Sequence, residues 1–111
     1  MGERNPLKPL HFSILLVLSE REDYGYGIVK RISARDVGGI RIAPSNLYYT
    51  LDQLVDGGLI EQGRRSDSED PRRTYFAITP EGRGVLRAEA ERLAALVETA
   101  GRLKVLAGGD G

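Results

Sequence analysis

The chain has 111 residues, the size of one domain, and sixteen Lys and Arg balance sixteen Asp and Glu. It has no cysteine, which excludes disulfides and thiolate metal sites. No apolar run approaches the roughly 20 residues that cross a bilayer, so no membrane partner is expected.

The start, MGERNPLKPLHFSILLVLSE, does not read as a signal peptide, because its apolar segment runs into the charges from Glu20 to Asp23 rather than into a small-residue cleavage site. A cytoplasmic protein fits. Residues 1–9 are polar with two prolines and read as a flexible arm. Leu10 to Ser19 is nearly continuously apolar, and its length and leucines favour a helix that must touch more than one neighbour. His11 is the only histidine and has no second ligand at metal spacing, so neither a metal nor a cofactor is expected. Arg21 to Tyr26 reads as a connection. Tyr26 to Ile32 opens a second helix with Ile28, Val29 and Ile32 inward, and the glycines at its entrance allow a tight corner. Val37 to Ile42 is a turn.

Ala43 to Ile60, APSNLYYTLDQLVDGGLI, is the most informative stretch. Pro44 suits a first helical position. Leu47, Leu51, Leu54 and Val55 form one apolar stripe. Gly57 and Gly58 can take the left-handed conformation that ends a helix, with Leu59 and Ile60 folding back on the last turn. The opposite face begins with Ser45, Asn46, Tyr49 and Thr50, hydrogen-bonding groups of the kind a recognition helix presents to base edges and phosphates. Two helices joined by a short loop, the second polar at its start, make a helix-turn-helix. Between Ile28 and Thr50 lie Lys30, Arg31, Arg35 and Arg41 against only Asp36. That local basic surface suits phosphate contact, with Lys30 counted among the contacts.

After the glycines, Leu59 to Arg65 and Arg72 to Thr79 read as two strands joined by a polar turn, a β-hairpin. Thr74, Phe76 and Ile78 alternate with Arg73, Tyr75 and Ala77. Arg64, Arg65, Arg72 and Arg73 flank an acidic tip of Asp67, Glu69 and Asp70. The hairpin is either a solvated one whose charges cancel or a wing whose arginines straddle a phosphate backbone.

Thr79-Pro80-Glu81 is a helix start with cap, proline and first-turn carboxylate. The helix that follows spaces Leu86, Leu93 and Ala100 by seven, and also Leu96 and Leu103, with Val97 on the same side. That repeat is a helix–helix seam. Its expected partner is a second copy of the chain, with packing on the first apolar helix as another use of the same stripe. The expected architecture is mainly α with a small β-hairpin. Residues 10–79 form a winged helix-turn-helix, 80–107 a dimerisation helix and 108–111 a disordered tail.

In this order DYGYGIVKRI, NLYYTLDQLVDGGLI, RRTYFAIT and PEGRGVL resemble a PadR-type transcriptional regulator of the short kind with one C-terminal helix. The resemblance runs from about Leu7 to Leu106. It implies a homodimer that binds double-stranded DNA, usually as a repressor. It places Ser45, Asn46 and Tyr49 at the major groove, Tyr48 near a phosphate and Arg72 and Arg73 on the wing. Tyr24 and Tyr26 match aromatic positions before the second helix. Two departures stand out: Ala43 lies where a Ser or Thr cap is typical, and the chain has no Trp with which to stack a planar effector, so the effector is left open. A MarR-like regulator, and a winged-helix interaction module that does not bind DNA, are the alternatives. An enzyme is not expected, since nucleotide loops, cysteines and paired catalytic carboxylates are missing.

Overall fold

A computed structural model describes residues 7–35, 42–66 and 74–106. Most of the expected arm, the turn over 37–41, the acidic tip with Arg72 and Arg73, and the tail lie outside them. The order is α1 (Pro9–Leu18), β1 (Asp23–Tyr24), α2 (Gly25–Arg35), α3 (Pro44–Asp56), β2 (Ile60–Ser66), β3 (Thr74–Ile78) and α4 (Pro80–Arg102).

The hub is α1. Ser13, Ile14, Leu15, Val17 and Leu18 are buried, and the helix packs against α2, α3, α4 and β3. Ile28 and Ile32 of α2, Leu47, Leu51 and Leu54 of α3, and Ile60, Ile78 and Leu86 complete the core. Each such side chain contributes roughly 1.5–3 kcal/mol by leaving water.

The segment expected to be a plain connection contributes a strand. Asp23 and Tyr24 pair with Phe76 and Tyr75, so the hairpin becomes a three-stranded antiparallel sheet ordered β1-β3-β2. Two residues are too short for periodicity to reveal. The alternation expected in β3 also fails, because Tyr75 is buried and its ring lies 5.4 Å from that of Tyr24. Both faces of β3 are therefore covered, one by the core and one by tyrosines.

An arginine holds the corner between α1 and α2. The Arg31 guanidinium bonds Asp23 at 3.2 Å and Glu20 at 2.9 Å, and donates to the Val17 carbonyl at the end of α1. Gly27 is required beside it, since a methyl group there would collide with the Asp23 carboxylate. Neither Gly25 nor Gly27 has a positive φ, so space rather than conformational freedom explains this corner.

The two ends of the hairpin are stitched together by hydrogen bonds. Gly58 takes φ 77°, Leu59 N–H donates to the Leu54 carbonyl at 2.9 Å, and α3 ends. Thr79 caps α4 by accepting from Gly82 N–H at 2.9 Å, while its hydroxyl donates to the Gly58 carbonyl at 2.7 Å. A Cβ on Gly82 would strike the Leu59 carbonyl. The first half of α4 is thus fastened to the body through Gly82, Val85, Leu86 and Glu89. Glu89 pairs with Arg92 and accepts the Leu7 backbone N–H, and the Arg92 hydrogen bonds hold its carboxyl below the usual range.

Candidate nucleic-acid interface

At about 100° per residue, α3 has three distinct sides. Leu47, Thr50, Leu51 and Leu54 are buried. Thr50, expected on the polar face, is only 5 % exposed because it stands one turn from both Leu47 and Leu54. Val55, expected in the stripe, is exposed instead, since the core lies to the Thr50 side. Ser45, Asn46, Tyr48 and Tyr49 are all exposed. Ala43 supplies no side-chain cap, which leaves the first N–H groups of α3 to solvent or to an anion.

Tyr48 and Tyr49 are adjacent but differ in surroundings. The Tyr48 ring lies against Gly25, where an added Cβ would sit 3.2 Å from its hydroxyl oxygen. That contact fixes the ring on the α2 side of the helix. Tyr49, 64 % exposed, points away from the body and accepts from the Gln53 side chain at 3.3 Å. Gln53 in turn meets His11 at 3.2 Å. The sequence does not single out Gln53, and it offers His11 only as a histidine without a second metal ligand. The signal available was the i, i+4 and i+7 spacing of Tyr49 and Gln53 from Ser45 and Asn46.

Lys30 is exposed, with its Nζ 5.4 Å from the centre of the Tyr26 ring one turn before it. The Tyr24 ring is 6.5 Å from that of Tyr26, which makes a short aromatic row at the entrance of α2. Arg31, counted from the sequence in the basic surface, is turned into the Asp23–Glu20 network. The backbone of Arg64 lies in β2, whose register against β3 shifts between Gln62 and Ser66. Such an irregularity bends and twists a strand.

At the other end of the molecule the seam residues divide. Leu86 is in the core, Leu93 and Ala100 are half-buried, and Leu96, Val97 and Leu103 are 53 %, 58 % and 69 % exposed. The helix does not reach Leu106. Lys104 turns left-handed at φ 60°, and Val105 N–H donates back to Ala100 at 2.9 Å. Among the described residues no group of His, Cys, Asp and Glu could hold a metal, and no helix is long and apolar enough to cross a membrane.

Three helices followed by a hairpin that pairs back onto β1 place the molecule in the winged helix-turn-helix class. The model of the transcriptional regulator PadR-like family matches residues 14–88, and the chain belongs to that family. The MarR-like alternative gives way to it. Among solved structures the chain is similar to a transcriptional regulator from Clostridium thermocellum, at 28 % identity over 84 % of this chain and 87 % of that one, with a TM-score of 0.70. It is also similar to a PadR-like transcriptional regulator from Bacillus cereus, at 26 % identity over 85 % and 89 % of the two chains, with a TM-score of 0.72. A PadR family transcription regulator from Clostridium difficile, 20 % identical, shares the fold over 86 % of this chain and 98 % of that one, with a TM-score of 0.75. Curated proteins gave no match.

Proposed function

We propose that this PadR-family regulator is a repressor that binds a palindromic operator as a homodimer. The observation that carries the reading is the outer side of α3, where Ser45, Asn46 and Tyr49 stand exposed on a helix whose other side is locked into the core. Side chains of this kind read base edges, and the rigid backing keeps them in register. Lys30 and Tyr48, on the α2 side, suit phosphate oxygens. Arg64, Arg72 and Arg73 are the wing contacts proposed from the sequence.

Two copies join through the exposed apolar side of α4. Leu93, Leu96, Val97, Ala100 and Leu103 repeat on one face, and exposed leucines at that spacing are best covered by the same surface of a second chain. The pair then presents two α3 helices at successive major grooves, roughly 34 Å apart. Repression follows from occlusion of the promoter. An effector that changes the angle between the two α4 helices alters that separation and releases DNA.

The test is fluorescence anisotropy with the duplex upstream of the protein's own gene, titrated at several salt concentrations beside an unrelated duplex. Tight, sequence-preferring binding that weakens with salt, and that Asn46→Ala and Arg72→Ala/Arg73→Ala reduce, is the expected outcome. Absence of binding even at low salt contradicts the reading and favours the interaction module.

A further inference from the structure

The chain's only histidine sits under α3. His11 lies in the first turn of α1, and its Nε2 is 3.2 Å from Gln53 Oε1. The Gln53 amide nitrogen donates to the Tyr49 hydroxyl at 3.3 Å. These three side chains, with Lys8 and Asn46, border an open cleft of about 400 Å³ between the start of α1 and α3.

The hydrogen bonds have a direction. A carbonyl oxygen only accepts, so Nε2 carries the imidazole hydrogen. Nδ1 is buried without a partner, and a second proton there would bury an N–H with no acceptor. The ring is therefore the neutral Nε2–H form. Burial pushes its pKa down, and Lys8 acts in the same sense against the opposing Gln53 bond. With Oε1 held by His11, the Gln53 amide must turn its NH₂ toward Tyr49. The phenolic oxygen accepts one amide hydrogen. The Tyr49 hydroxyl hydrogen and the second amide hydrogen are then both left to point outward.

We propose that His11 is a positioning residue that fixes Gln53 and Tyr49 as a pair of donors, so that this part of α3 selects guanine. The inference rests on the reading that α3 enters a major groove. Guanine offers two neighbouring acceptors there, N7 and O6. Adenine and cytosine each offer an amino donor. A Gln53 freed from His11 turns over and accepts adenine by its usual two-bond pairing. His11 therefore sets a base preference without touching DNA.

The experiment is selection from a pool of random duplexes by full-length wild type, His11→Leu, His11→Gln and Gln53→Leu. The position read by Gln53 is the one whose preference Gln53→Leu loses. The wild type prefers guanine over adenine there by at least about tenfold, a typical discrimination for one good base contact. His11→Leu loses that preference, His11→Gln regains it through its own amide donor, and both His11 variants bind an unrelated duplex as the wild type does at low salt. A guanine preference that His11→Leu leaves intact overturns the proposal alone. No sequence preference in the wild type overturns it together with the DNA-binding reading. Nitrogen NMR of the free, histidine-labelled protein is an independent arm: the neutral Nε2–H ring supports the relay, and an Nδ1–H ring overturns it.

Discussion

The outer side of α3 and the second half of α4 are both helical surfaces that the fold leaves uncovered, and their chemistry is opposite. On α3 the exposed groups are the Ser45 hydroxyl, the Asn46 and Gln53 amides, the Tyr48 and Tyr49 phenols and the Asp52 and Asp56 carboxylates, with Tyr48 held against Gly25 and Tyr49 tied through Gln53 to His11. On α4 they are Leu96, Val97 and Leu103, with nothing to direct them. A directed polar surface suits a ligand read by hydrogen bonds, whereas an undirected apolar one suits burial against its like. The division follows from how each helix is fastened. All of α3 is backed by the core, but α4 is gripped only in its first turns, through Gly82, Val85, Leu86 and Glu89.

The strongest way to break this division is to charge the apolar surface. Leu96→Asp/Val97→Asp puts four carboxylates into a two-fold interface, since each substitution occurs twice. Dimerisation is expected to weaken by a hundredfold or more, on the order of the cost of burying unpaired charge. Analytical ultracentrifugation checks this, and unchanged circular dichroism shows that the monomer fold survives. Next in size is a change that strikes the body behind both surfaces. Arg31→Met leaves Asp23 and Glu20 facing each other without their shared cation. Breaking such a partly buried pair costs about 3 kcal/mol, read as a lowered midpoint in urea.

The end of α4 gives a smaller, opposite effect. Lys104 holds a left-handed conformation that Gly58 adopts at the end of α3 without a Cβ. Lys104→Gly is expected to raise stability by up to about 1 kcal/mol, seen as a higher melting temperature. The smallest effect is that of pH on the α3 side. The folded His11 ring has a pKa below the 6.5 of a free histidine. As pH falls through 6.5, the unfolded chain takes up the proton first, so this contribution is complete above 6.5 and is lost as pH drops toward the folded value. Thermal melts from pH 8 to pH 5 check the sign, and His11→Gln should show a shallower decline.

Much of this division could be read from the sequence. Gly58 after the leucine stripe and the Thr79-Pro80-Glu81 start both encode local geometry that tertiary contacts do not override. The structure departs where the outcome depends on which neighbour covers a side. Thr50 and Val55 lie on opposite flanks of one stripe, and the side on which the core closes decides that Thr50 is buried. Arg31 looks like any cation of a basic patch until Asp23 and Glu20 fold against it. Glu89 falls seven residues before Leu96, on the apolar seam, and becomes acceptable there only through Arg92 and the Leu7 N–H. The Gln53–His11 link joins residues 42 apart in sequence, and no pattern along one helix encodes it.

The central claim is that two chains, joined through α4, present their α3 helices to one duplex. Native mass spectrometry of the protein with the duplex upstream of its gene tests it most directly. The expected species is two chains on one duplex, lost in Leu96→Asp/Val97→Asp. A stable complex of one chain on one duplex, unchanged by those substitutions, would contradict it.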